Sequence, residues 1–240
     1  MSEWAAKRFW ENVTADEVEG GFAVHLDGRP VRTPLKAPVV VPTRAMAEAM
    51  KAEWDAQGEK IDPLSMPVTR AVNAALDKVA TQHAEVVDML AAYGDSDLLC
   101  YRADSPEGLV RKQAEGWDPM VDWSATALGA PLQLRTGVMH KPQAPETLTT
   151  LRRHVAGFDA FELTAFHDLV AITGSLILGL AVTRGELDAD KAWTLSRIDE
   201  DWQMAQWGAD EDAEAQAALK KRDLLRAEVF YHLGAQDRAD

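Results

Sequence analysis

A single cysteine, Cys100, stands in the chain. No disulfide can form within it, which suits a reducing compartment. Long apolar runs are missing too. The longest, Leu169 to Val182 (LVAITGSLILGLAV), has 14 residues, against the ~20 needed to span a membrane. His167, Asp168 and Arg184 flank it, so it reads as a buried helix. Positive charge is scarce: 25 Lys and Arg face 39 Asp and Glu, for a net charge of −14. Such a surface repels phosphate backbones and argues against nucleic acid as a partner. There is no G-x-x-x-x-G-K-[ST] or G-x-G-x-x-G loop, so a nucleotide cofactor is not expected. The six histidines, His25, His83, His140, His154, His167 and His232, form no metal-ligand spacing. Nucleophile elbows are absent, and Cys100 reads as a small buried hydrophobe. The opening MSEWAAKRFW has no apolar core of a signal peptide, which makes the expected location cytoplasmic.

What remains is an ordinary globular composition, 47% hydrophobic and 27% charged over 240 residues. Phe22 to Leu26, Asp27-Gly28 and Arg29 to Thr33 read as a β-hairpin. Val39 to Val41 is a further short strand between Pro38 and Pro42. Thr43 caps a helix expected to reach Gln57, with Gly58 as its left-handed stop. Trp54 lies on one stripe of that helix with Met50 and Ala47, and is read as an anchor of the N-terminal part. Pro67 to Tyr93 returns to helical period, with Val72, Leu76, Val79 and His83 on one stripe and Val86, Leu90 and Tyr93 on another. Leu98 to Tyr101 is a possible short strand. Ser105-Pro106 and Asp118-Pro119 each have the form of a helix start. Thr136 to Pro145 is a loop, and helices are expected at about 145–156, 159–183, 188–207 and 210–233. Within 159–183, Gly174, Ser175 and Gly179 form a small-residue notch suited to close helix packing. The predicted fold class is α+β: a small β-containing N-terminal domain, 1–95, followed by a mostly helical C-terminal domain, 96–240.

The stretch Arg197 to Gly208, RIDEDWQMAQWG, combines three consecutive acids with two tryptophans. On one continuous helix Leu195, Ile198, Trp202 and Ala205 form the core stripe. Seven residues turn the chain ~700°, about 20° short of two full turns, so Trp193, Glu200, Met204 and Trp207 form a second stripe. Arg197 can pair with Asp201 at i, i+4. Asp199 and Asp201 fit a solvated face. Glu200 sits between indoles and fits either an internal ion pair under another helix or an exposed protein-binding surface. A hydrolase or metal-dependent enzyme using Asp199–Asp201 is the competing class, although adjacent helical residues point apart.

Seven motifs occur in order: RFWENVT (Arg8–Thr14), LDGRPVRTP (Leu26–Pro34), EWDAQG (Glu53–Gly58), DLLCYRA (Asp97–Ala103), WDPMVDW (Trp117–Trp123), TGSLILGLA (Thr173–Ala181) and RIDEDWQMAQWG. Together, over residues 8–233, they resemble the bacterial form of the F1-ATPase assembly chaperone that binds the α subunit. The resemblance implies a non-enzymatic protein that holds the free α subunit of F1-ATPase until β replaces it. It implies the same two-part fold; no cofactor is expected, and the charge and run lengths already argue against nucleic acid and a membrane span. The free protein is expected to be a monomer. Eukaryotic relatives work in the mitochondrial matrix; with the first motif at Arg8, the bacterial cytoplasm is expected here. The family's functional acid falls within Asp199–Asp201, and the stripe geometry selects Glu200.

Overall fold

A computed structural model describes residues 7–137, 139–208 and 210–235. The chain packs as two compact units. One holds the chain through His83, with Asp159–Thr164 and the end of the last helix from Val229. The other holds Ala84–Phe158 and Ala165–Glu228.

The first unit is built on a three-stranded antiparallel sheet, β1 (Val13–Val18), β2 (Gly21–Leu26) and β3 (Arg29–Pro30). Val13 pairs with Leu26 and Val18 with Gly21. Asp27 and Gly28 both have positive φ, 48° and 77°, as a two-residue hairpin turn demands. The Asp27 carboxylate accepts from the backbone N–H groups of Glu11 and Asn12. Strand β1, which the sequence pattern left unread, carries a mostly polar run and is recognisable only through its partner. The expected strand at Val39–Val41 is a single bridge: Phe22 and Val41 exchange both backbone hydrogen bonds, at 2.9 and 2.8 Å. It goes no further along β2, because the Val24 carbonyl accepts from Val31 N (2.9 Å) and Val39 N donates to Val31 O instead (3.3 Å).

Helix α1 (Arg44–Asp55) starts as expected. The Thr43 hydroxyl accepts from Met46 N at 3.1 Å, and Met46, Ala47 and Met50 are buried. It stops earlier than expected, at Asp55, with Ala56 as its cap and without a left-handed Gly58. The reason is Arg8, whose Nη1 donates to the carbonyls of Asp55 (2.8 Å) and Gln57 (2.7 Å). An arginine from the N-terminal segment satisfies the orphan carbonyls that a glycine turn would otherwise serve. Trp54 is half-buried and packs its ring edge-on against Trp10 at 5.2 Å.

Helix α2 (Pro67–Ala74) begins at Pro67. Its first N–H groups, Val68 and Thr69, donate to the Glu53 carboxylate of α1 at 2.7 and 2.8 Å. The continuous helix expected from Pro67 to Tyr93 is interrupted. Ala75–Val79 forms a π turn, closed by Ala80 N donating to Ala75 O, and helix α3 (His83–Ala91) follows after a short turn. The extra residue of a π turn resets the helical phase, which is why the sequence showed two apolar stripes rather than one.

The chain continues with β4 (Tyr101–Arg102), α4 (Glu107–Ala127), β5 (Arg135–Thr136), α5 (Pro145–Ala156), α6 (Ala160–Thr173), α7 (Leu176–Thr183), α8 (Ala189–Ser196), α9 (Ile198–Trp207) and α10 (Glu211–Ala235). Leu98–Cys100 is a 3-10 turn, and only Tyr101–Arg102 is strand, paired in parallel with β5. Pro119 starts no new helix; α4 runs through it for 21 residues. Pro119 is exposed while Trp117, Met120 and Ser124 on the same helix are buried. The missing hydrogen bond therefore falls on the wet face. The helix expected over 159–183 is two helices. Gly174 (φ +69°) ends α6, and Ser175 caps α7 by accepting from Leu178 N at 3.0 Å.

Asp97 holds this junction. Its carboxylate is fully buried and accepts from Ser175 Oγ (2.8 Å), Ile177 N (3.0 Å) and Leu99 N (3.0 Å). Burial pushes its pKa up to about 6 against the pull of those donors. Gly179 on α7 lies tightly against α6: a Cβ there would meet Val170 at 2.9 Å and Phe166 at 3.0 Å. Helix α10 ends in the first unit, where the Thr43 hydroxyl donates to Leu233 O.

Candidate functional site

The acidic stretch lies on a helical corner. Asp188 caps α8 by accepting from Lys191 N (2.6 Å), and the neighbouring Ala189 N donates to Glu228 of α10 (2.9 Å). The helix expected over 188–207 breaks at Arg197, whose backbone (φ −106°, ψ 6°) ends α8 and opens α9. Asp199, Glu200 and Asp201 thus occupy the first turn of α9, where carboxylates oppose the positive end of the helix dipole. Gly208, with φ +93°, stops α9. Asp210 then accepts from the N–H groups of Asp212 and Ala213 at the start of α10.

The break explains which stripe survives. Leu195, Ile198 and Trp202 all turn onto α4. Gly116 leaves room for Ile198 Cδ1, 2.6 Å from where a Cβ would stand, and Gly108 does the same for Trp202 at 2.6 Å. Trp117 Nε1 donates to Leu195 O at 2.8 Å, and Lys112 lies over the Trp202 ring at 5.5 Å. Ala205, predicted on this face, is exposed instead: Trp202 already meets Gly108 at the first turn of α4, and Ala205 lies one turn further along α9. Asp199 is not a solvated acid either. It is half-buried and accepts from Gln113 Nε2 at 2.6 Å, while Gln113 Oε1 accepts from Ala103 N.

Arg197 gathers the other predicted residues. Its guanidinium lies 3.6 Å from Glu200 Oε1, 3.7 Å from Asp201 Oδ1 and 5.4 Å from the Trp193 ring centre. The Arg197 side chain is mostly buried, whereas those of both acids are about half exposed. Arg197, Glu200, Gln203, Met204 and Trp207, with Gly208, Asp210 and Ala213 of the α9–α10 corner, line an open cleft of about 340 Å³. Trp207 is 82% exposed. Of the seven residues singled out on this stretch, Arg197, Glu200, Met204 and Trp207 share the cleft. Trp193 joins through Arg197, Asp201 pairs with Arg197 from outside, and Asp199 points to α4.

The three acids therefore do not converge on a common point, as paired catalytic carboxylates would have to. Among the described residues no cluster of His, Cys, Asp and Glu suited to a metal ion occurs, and no helix is long and apolar enough to cross a membrane. Cys100 is buried, and its thiol is pushed up to about 12 by burial and by Asp97. The residues that pattern reading missed are Asp97, Gln113, Gly108 and Gly116. The two glycines, eight apart on α4, carried a readable signal as small residues on one helical face. Asp97, ahead of an apolar run, carried the signal of a cap.

Comparison with known proteins gives this arrangement its class. The model of the ATP12 chaperone protein family matches residues 7–125. The crystal structure of Atp12 from Paracoccus denitrificans is 56% identical and covers 97% of this chain and 100% of that one, with a TM-score of 0.94. A mutant of P. denitrificans Atp12p with one aspartate replaced by lysine matches equally well, at 55% identity, the same coverage and a TM-score of 0.94. The mitochondrial protein atp12 of Schizosaccharomyces pombe is 28% identical over 220 residues, 86% of this chain and 75% of that protein. By class the protein is a chaperone. The chain belongs to the ATP12 family of F1-ATPase assembly chaperones, the family its seven motifs resemble, and it shares the expected α+β architecture with the Atp12 structures.

Proposed function

We propose that the protein binds the free α subunit of F1-ATPase and keeps it from aggregating until β takes its place, with no nucleotide. The observation that carries this reading is the match to Atp12 at 56% identity over nearly the whole chain. A free ring subunit exposes apolar surface that its neighbour will cover, and such patches aggregate. A holding protein needs surface that is apolar enough to bind and polar enough to let go. The α9–α10 cleft, with an exposed indole beside carboxylates, has that character. It is the surface we assign to the client, with Glu200 as its central charge and Trp193, Arg197, Met204 and Trp207 around it; Asp199 and Asp201 hold the corner in shape. The protein acts as a monomer in the bacterial cytoplasm, by binding rather than by catalysis. Co-expression with the F1 α subunit tests this. Soluble α subunit should rise and should co-purify with the protein in the absence of ATP. An α subunit that stays insoluble and never co-purifies contradicts the client assignment.

A further inference from the structure

Tryptophans near the acidic corner carry cations over their rings. Arg197 lies over Trp193 at 5.4 Å, Lys112 over Trp202 at 5.5 Å and Arg102 over Trp117 at 5.4 Å. Among the described residues no such cation lies over Trp207, although its ring is the most exposed large apolar side chain. The surroundings favour a cation there. From Ile198 to Leu219 the sequence has seven acids, Asp199, Glu200, Asp201, Asp210, Glu211, Asp212 and Glu214, and neither lysine nor arginine. Trp207 is the last residue of α9, where the helix dipole is negative. The opposing positive end, at the start of α10, is already neutralised by Asp210. Arg197, the basic residue in the cleft, is engaged by Glu200 and Asp201.

We infer that the cleft takes a cationic, amphipathic segment of the partner polypeptide, with an arginine or lysine laid over the Trp207 indole and within reach of the Glu200 and Asp210 carboxylates. Aliphatic side chains flanking that cation cover Met204 and the rest of the ring. Arginine is the better fit, because its planar guanidinium can stack on the indole while its edge meets a carboxylate. The identity of the partner rests on the chaperone reading above; the chemistry of the cleft does not.

The test uses the whole protein, unlabelled, and reads binding as the fluorescence anisotropy of dye-tagged peptides. Two synthetic helical peptides are titrated, one with leucines on one face and arginines on the other, its twin with glutamate for arginine. The arginine peptide should bind saturably and the glutamate peptide should not. Trp207→Ala, at an exposed position that folding does not need, should weaken arginine-peptide binding about tenfold; Glu200→Gln should weaken it and lower its salt dependence. Equal binding of both peptides, binding indifferent to Trp207→Ala, or a Trp207-dependent dimer in ultracentrifugation overturns the inference. If the peptides fail but α-subunit aggregation is still suppressed, the cleft assignment falls and the chaperone reading stands. If the arginine peptide binds and the α subunit is not protected, the cleft chemistry stands and the client is another protein.

Discussion

At the scale of single residues, Asp97 carries the clearest electrostatic consequence. Its folded pKa, about 6, lies above the ordinary 3.8. The folded state therefore binds this proton more tightly than the unfolded chain does. The stabilising contribution of the proton is fully present below pH ~4 and is lost as pH rises through 6. Denaturant titrations of the parent and Asp97→Asn from pH 4 to 8 should show the parent's advantage shrinking with rising pH, then levelling. An advantage that grows with pH would mean that the three donors outweigh burial and hold the carboxyl below its ordinary range. Asp199 is the second case. Asp199→Ala strands the buried Gln113 amide that donates to it, at a cost of about 1–3 kcal/mol, whereas Asp199→Asn can rotate to keep an acceptor and should cost less. Trp54 is the third. It is half-buried against the buried Trp10, so Trp54→Ala should cost somewhat less than the about 3–5 kcal/mol of a fully buried tryptophan. That loss would be seen as a lower Tm with client binding retained per folded molecule. A normal Tm with client binding lost would make Trp54 a contact residue.

At the scale of elements, close packing at glycines decides how the helices lie. Gly179→Leu would drive a branched side chain into Val170 and Phe166, and overpacking of this kind costs about 1–3 kcal/mol. Gly116→Val would push Ile198 and Leu195 off α4 and carry α9 with them. A drop in Tm is expected for both, with loss of the cleft for Gly116→Val. An unchanged Tm for either would mean that the helices pack elsewhere. The elements also show what a sequence can tell. The hairpin turn at Asp27-Gly28, the Thr43 cap and α5 were legible because local chemistry decides them. The breaks at Arg197 and at Gly174-Ser175 were not. Leu195, Ile198 and Trp202 keep an unbroken helical spacing across Arg197 although the axis turns there, and the Gly174 stop is fixed by Asp97 from far away in sequence. Proline misled in the opposite sense at Pro119, where burial of Trp117 and Met120 outweighs one lost hydrogen bond. At the candidate site, sequence spacing brought Glu200, Met204 and Trp207 together. It misplaced Asp199, which Gln113 of α4 engages, and Ala205, which lies past the first turn of α4, because the spacing along one helix does not show where its neighbour begins.

For the whole molecule, the family was legible from motif order, since seven short segments in one sequence are far more specific than any one of them. Light scattering of isolated F1 α subunit as it aggregates, with and without this protein and without ATP, tests the central claim most directly. The parent should suppress scattering at near-stoichiometric amounts, and Asp201→Asn should diminish this less than Glu200→Gln does. Glu200→Gln should lose most of that suppression while keeping its Tm, because an exposed ion pair is worth only ~0–1 kcal/mol to stability. Scattering left unchanged by a several-fold excess of the parent protein would contradict the account, and Glu200→Gln protecting as well as the parent would remove the carboxylate from its centre.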